Sequence, residues 1–304
     1  MSNRLATNIA GLKLSSPTML AAGVLGLSGA FLKEIAHTEV GAVVTKSIGL
    51  NPRSGYRNPT IVQVDCGLLN AIGLSNPGIH EFGTEIAEAK KVGVPLIVNI
   101  FGFSVDEFGE VASYAAKAGA DALELNVSCP HVEKAGAEIG QDPQLVKEVV
   151  REVKKRVRKP VFVKLTANVG DITEIAKAAV EGGADAITAI NTVRAMAINV
   201  ETTHPILANK IGGLSGPAIK PITVRCVYEI YHEVDVPVVG CGGIATWRDA
   251  VEFMLAGASA VQVGTAIAFK GLKVFKSINH GISLYLRKNR FRSVKDIVGL
   301  SHRC

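Results

Sequence analysis

Two kinds of strand opening alternate along this chain, and that rhythm restricts its fold more than any other feature. In one kind, a Gly-Ala pair leads into a short apolar run: Gly41-Ala42 before Val43-Val44-Thr45-Lys46, Gly119-Ala120 before residues 121–126, Gly183-Ala184 before 185–191, and Gly257-Ala258 before 259–264. In the other, the run starts at a proline, over residues 17–22, 95–100, 160–165 and 237–241. Proline is tolerated as the first residue of a strand, and the glycines are expected to end the preceding helices in a left-handed turn. Helical periodicity fills the intervals at 105–117, 144–157, 172–181 and 247–255. Strands that alternate with helices run parallel, and eight of them in about 250 residues imply an α/β fold, the (β/α)8 TIM barrel. No low-complexity linker divides the 304 residues, so residues 1–304 are read as one domain. The segments 49–71 and 191–221 exceed ordinary strand–helix loops and are expected at the catalytic, C-terminal face as lids or substrate walls.

Several function classes fall away on composition. The net charge of +6 admits an anionic ligand, but the basic residues are densest at 147–159 and 287–295, which read as solvated helix faces. Nucleic-acid binding is therefore not implied. Five cysteines (Cys66, Cys129, Cys226, Cys241 and Cys304) form no C-x-x-C pair, and the histidines are scattered. A disulfide framework, an iron–sulfur site and a metal site are not expected, and the thiols suit a reducing cytoplasm. The uncharged stretch 14–32 approaches membrane-spanning length but carries Pro17, Gly23, Gly26 and Gly29, and is read as a strand and a loop.

In a barrel of this kind, chemistry is done by residues at the carboxyl ends of the strands. Those positions hold Lys46 and Ser47, Asn99, Asn126, Lys164, and Asn191 with Thr192. Lysines in otherwise apolar strands need an anionic or electron-rich neighbour, because an unpaired buried charge is costly. Just past the strand at 121–126 runs Asn126-Val127-Ser128-Cys129-Pro130-His131, which sets a thiol where it can move a proton. The last two strands end in glycine, at Gly240-Cys241-Gly242-Gly243-Ile244 and Val263-Gly264-Thr265, and Gly212-Gly213-Leu214-Ser215-Gly216-Pro217 adds a third glycine-rich loop. Such loops let backbone N–H groups meet a phosphate, which barrels often bind after strands seven and eight. Cys241 is read as structural.

With these residues in place, the chain resembles the dihydroorotate dehydrogenases from Asn8 to about His302. The resemblance is carried by Thr45-Lys46-Ser47, Pro52-Arg53, Asn58-Pro59, the run Leu69-Asn70-Ala71-Ile72-Gly73-Leu74-Ser75-Asn76-Pro77-Gly78, the Cys129 loop, and Leu207-Ala208-Asn209-Lys210 before Gly212. It implies FMN across the barrel mouth, its phosphate on Gly242, Gly243, Gly264 and Thr265 with Gly216 nearby. Ala22, Gly23, Lys46, Ser47, Asn99, Asn126, Lys164 and Ile190 would line the ring and ribityl chain. Dihydroorotate would meet Lys46, Asn70, Ala71, Ile72, Gly73, Leu74, Asn126, Asn191 and Thr192. Cys129 would take the C5 proton while a hydride leaves C6, giving orotate for pyrimidine synthesis. The chain departs from the family at His131, where Asn is usual.

A cysteine base and the stretch from Leu207 to Lys210 resemble the catalytic subunit of the NAD-linked class 1B enzymes. That likeness implies a homodimer, cytoplasmic, which passes electrons to a partner subunit holding FAD and a 2Fe–2S cluster. The fumarate-linked class 1A homodimer is the nearest alternative. A flavin barrel acting on RNA, of the dihydrouridine synthase type, and a non-catalytic barrel binding a phosphorylated ligand are the rivals from other classes.

Overall fold

The computed structural model of the chain describes residues 4–127 and 139–303. Among the described residues, eight parallel strands close into a barrel: Thr18–Leu20 (β1), Ala42–Val44 (β2), Leu96–Ile100 (β3), Ala122–Asn126 (β4), Val161–Leu165 (β5), Ala186–Ala189 (β6), Val238–Cys241 (β7) and Ala258–Val263 (β8). They neighbour one another in chain order, and β8 closes on β1 with Gln262 opposite Met19. All eight strands expected from the rhythm of the sequence are present. The helices between them are Gly29–Ala36 (α1), Ile79–Ala89 (α2), Val105–Ala118 (α3), Pro143–Arg156 (α4), Ile172–Gly182 (α5), Lys220–Glu233 (α6), Trp247–Leu255 (α7) and Val274–Lys288 (α8). The tail of the uncharged stretch 14–32 is thus the first turn of α1 rather than loop.

Local chemistry sets the helix starts. Ser104, Asp142 and Asp171 each accept a backbone N–H of the turn they cap, and Thr246 with Asp249 forms a reciprocal capping box on α7. At the other ends, Gly119 and Gly183 have φ of 115° and 102°, and Gly257 just past α7 has 123°. These are the left-handed terminators that the Gly-Ala pairs predict. Gly41 is the exception. It stands outside the left-handed region, and a Cβ there would fall 1.9 Å from the Ser16 carbonyl oxygen. Close approach of two backbones, not helix termination, requires that glycine.

Residues two apart on a strand share a face. The faces turned outward carry Val98, Leu123, Val163, Ile187 and Val261, all fully buried against the helices in the main core. Each such side chain contributes about 1.5–3 kcal/mol on burial. Facing inward, Met19, Ile97, Ala122, Phe162, Ala186, Val239 and Ala260 form a second apolar cluster. The antiparallel hairpin of Thr7–Ile9 and Leu12–Leu14 closes its amino-terminal end through Ile9 and Leu14. Two residues further along, the inward face turns polar at Asn99, Glu124, Lys164, Thr188 and Gln262, each at least nine-tenths buried. The barrel interior is therefore apolar below and polar beneath the mouth.

The two long segments are not loose loops. Ile61–Val64, Gly67–Asn70, Gly212–Ser215 and Val193–Ala195 form one four-stranded antiparallel sheet at the mouth, with Asn70 opposite Gly213. The glycine-rich stretch from Gly212 to Ser215, read from sequence as a phosphate loop, is thus a strand, and the loop begins at Gly216.

Candidate active site

A cavity of about 730 Å3 opens at the carboxyl ends of the strands. All the residues expected to hold a flavin, from Ala22 and Gly23 round to Gly264 and Thr265, border it. So do Asn70, Ile72, Gly73, Leu74, Asn191 and Thr192 from the expected substrate set. Ala71 does not. Its side chain is fully buried with Leu69 and Leu207 under the mouth sheet. Cys129, with Ser128 and His131, lies outside the described residues. A second depression of about 800 Å3 lies on the outer wall beside α8 and carries none of the expected site residues.

One side of the cavity is an amide chain. Asn126 at the end of β4 donates through Nδ2 to Ser47 Oγ at 2.9 Å and accepts from Asn191 Nδ2 at 3.3 Å. Asn191 Oδ1 in turn accepts from the Thr192 backbone at 2.8 Å. The Asn70 amide is pinned to the Gly213 carbonyl at 3.2 Å, so the mouth sheet holds it in place. Asn76, only 5% exposed, accepts from the Gly49 and Gly78 N–H groups and donates to the Leu74 carbonyl. That one side chain stiffens the loop carrying Gly73 and Leu74.

Beneath the cavity, Glu124 gathers the polar residues of the barrel. Its carboxylate accepts from Asn99 Nδ2 (2.7 Å), Thr188 Oγ1 (2.8 Å) and Gln262 Nε2 (2.5 Å). Lys164 Nζ donates to Gln262 Oε1 at 3.3 Å and lies 3.9 Å from Glu124. An anionic or electron-rich ligand is the reason for burial expected of Lys164 from sequence; the fold adds a carboxylate of its own. Burial disfavours the Lys164 charge, but Cys241 and Glu124 favour it more strongly, and its pKa rises above the ordinary lysine value. Burial pushes the Cys241 thiol up despite the nearby ammonium. Cys241 borders the cavity and touches Lys164, which is more than the packing role read from the sequence. Glu124, Thr188 and Gln262 were not singled out in the sequence, although all lie on the inward face at the level of Asn99 and Lys164. Counting back two residues from the named strand-end residues Asn126, Ile190 and Gly264 puts them on that face, though it shows none of their partners.

At the other end, Gly242 and Gly243 have φ of 135° and 80°. Cβ atoms there would come within 2.6 Å of Thr223 Oγ1 and Lys220 Cβ on α6. Only bare backbone fits between that helix and the cavity. Thr265 donates to Ser215 Oγ at 2.8 Å, tying the end of β8 to the mouth sheet. Lys270 borders the same end and donates to the Ala245 carbonyl at 2.8 Å.

Three observations fit these residues to FMN. The Asn99 Oδ1 atom is buried at the cavity without a hydrogen-bond partner, as an acceptor awaiting a donor would be. The glycines just past β7 and β8 form a side-chain-free cradle, suited to a phosphate. The cavity also has the size of a cofactor site.

A closed parallel barrel with a charged, amide-rich mouth and a glycine cradle past its last two strands defines a cofactor-type barrel with phosphate-binding capacity. Comparison with known proteins makes this specific. The family model described as Dihydroorotate dehydrogenase matches residues 4–286, and the chain belongs to that family. It is 50% identical over 300 residues to the dihydroorotate dehydrogenase B (NAD(+)), catalytic subunit, of Methanocella arvoryzae, covering 99% of this chain and 98% of that protein. It is 51% identical over 297 residues to the protein of the same name from Methanosarcina acetivorans, covering 97% and 95% of the two chains. The Pyrococcus horikoshii protein of that name is 51% identical over 291 residues, covering 96% and 95%.

Proposed function

We propose that this chain is the catalytic subunit of an NAD-linked dihydroorotate dehydrogenase, an oxidoreductase of pyrimidine biosynthesis that converts dihydroorotate to orotate with bound FMN. The observation that carries the reading is convergence. Strand ends from all round the barrel and the sheet over its mouth bring the expected cofactor residues, and the expected substrate residues except Ala71, to one cavity. The near-half identity along the whole chain supports it.

FMN supplies the two-electron acceptor for the hydride that leaves C6. Gly242, Gly243, Gly264 and Thr265 would hold its phosphate, with Gly216 nearby, and Asn99 and Lys164 would meet its ring. Lys164 keeps a positive charge where negative charge grows during reduction, in a site with little water to screen it. Lys46, Asn70, Asn126, Asn191 and Thr192 bind dihydroorotate, and the asparagine amides can donate and accept along one pyrimidine edge. Cys129, which follows β4 in the sequence, takes the C5 proton. Electrons leave through a partner subunit with FAD and a 2Fe–2S cluster. In this reading residues 1–304 act as one domain and pair with a second copy. A cytoplasmic setting is supported by the free thiols of Cys66, Cys226 and Cys241. Among the described residues, no helix is long and apolar enough to cross a membrane.

The test is anaerobic addition of dihydroorotate to the purified yellow protein. The visible flavin band should bleach and one equivalent of orotate should appear. A colourless protein, or a yellow one that dihydroorotate leaves unchanged, rules the reading out.

A further inference from the structure

We infer that Glu124 is the positioning residue of the cofactor cavity, setting which atoms of Asn99 and Gln262 face outward and how much of the Lys164 charge reaches the cavity. The inference rests on the proposal that the cavity holds FMN. Glu124 itself does not border the cavity; Asn99, Lys164 and Gln262 do. It therefore acts on the cofactor through them.

The argument is one of donors and acceptors. A carboxylate only accepts, so every amide that meets it must present its NH2 group. Glu124 takes Asn99 on Oε1, and Thr188 with Gln262 on Oε2. Each amide can therefore turn only its oxygen away from Glu124. For Gln262 that oxygen meets the Lys164 ammonium. For Asn99 it is the buried Oδ1 atom that has no protein partner. The cavity is thus offered one acceptor and one cation, side by side. A flavin's pyrimidine edge carries a ring N–H next to the N1–C2=O group where negative charge collects on reduction. Gln262 also stands between Lys164 and Glu124, which keeps the ammonium 3.9 Å from the carboxylate and on the cavity side.

Sulfite is the probe. Its lone pair adds to flavin N5 without any oxidant or reductant, and the added negative charge settles at the N1–C2=O edge. Its affinity therefore reads the cation there. Glu124→Gln keeps the shape but removes the charge that opposes Lys164, so sulfite should bind roughly tenfold tighter, and the FMN midpoint potential should rise. Gln262→Met removes the spacer and lets Lys164 close on Glu124, so sulfite should bind roughly tenfold more weakly. Opposite shifts from two neighbours are the signature of positioning. A merely structural Glu124 would cost both variants flavin while leaving sulfite affinity unchanged in the flavin-bound fraction. That result, or shifts of the same sign in both, overturns the inference. Should Glu124→Gln fail to fold, Gln262→Met decides alone: weaker sulfite binding supports it, and unchanged or tighter binding overturns it. A colourless parent protein overturns the FMN proposal and this inference together, whereas a yellow parent with unresponsive variants overturns only this one.

Discussion

Lys164 combines two demands that conflict in water-free surroundings: it must stay charged, and it must stay free enough to serve a ligand. Glu124 and Gln262 reconcile them from below. Replacing Lys164 by Met should weaken FMN binding by at least about tenfold, the loss expected for one charge-assisted contact, measured by titrating apoprotein with FMN. The same variant carries a pH signature. The folded Lys164 pKa is raised, so its stabilisation is complete below about 10.4, the ordinary unfolded value, and is lost as pH climbs through the folded one. Melting temperatures of parent and Lys164→Met apoproteins should therefore approach each other as pH rises beyond that value. For the proposed base, Cys129→Ala should keep the yellow colour and slow bleaching by dihydroorotate at least about 100-fold in stopped flow. Full-rate bleaching would remove Cys129 from its role. Lys46, Asn99, Asn126 and Lys164 were legible because polar groups at the ends of apolar strands stand out. Glu124 was not, because one acidic residue inside an apolar run shows no partner until the neighbouring strands deliver Asn99, Thr188 and Gln262.

Among the elements, α7 has a second task beyond packing. Asp249 in its capping box accepts from the Ala245 and Thr246 N–H groups at 3.1 and 2.8 Å and from Lys220 Nζ at 2.9 Å. The carboxylate therefore fastens the Gly242–Gly243 turn to α6 and α7 at once. Burial opposes its charge, but Lys220, Thr246 and the backbone donors prevail, and its pKa lies below the usual Asp value. Asp249→Asn should cost about 1–2 kcal/mol in urea unfolding and loosen FMN binding, with little effect on the bleaching rate of the FMN-saturated enzyme. The barrel strands and most helices were readable because their signals are local: a proline, a Gly-Ala pair, a cap, an apolar period. The mouth sheet was not. Its hydrogen bonds join Gly67–Asn70 to Gly212–Ser215, and neither segment carries a mark of the other. The same absence of local marks let a glycine-rich strand read as a loop.

At the scale of the whole molecule, no group of three or more metal-ligating side chains lies together among the described residues. The isolated subunit should pass electrons from dihydroorotate to an artificial dye but not to NAD. Adding a subunit with FAD and a 2Fe–2S cluster should restore NAD reduction, followed as NADH absorbance. Rapid turnover with fumarate by the isolated chain would instead place it with the fumarate-linked class.

What the amino-acid order determined by itself was the barrel, the identity of the strand-end residues and the glycine cradle, since each is signalled by a pattern within a few residues of chain. Only the tertiary structure decided which of those groups meet, that Ala71 turns into the core while Asn70 faces the cavity, and that Glu124 commands the amides beneath it. Hydrogen bonds between strands far apart in sequence exist only once the barrel has closed, and the direction of a buried amide depends on which partners closure brings.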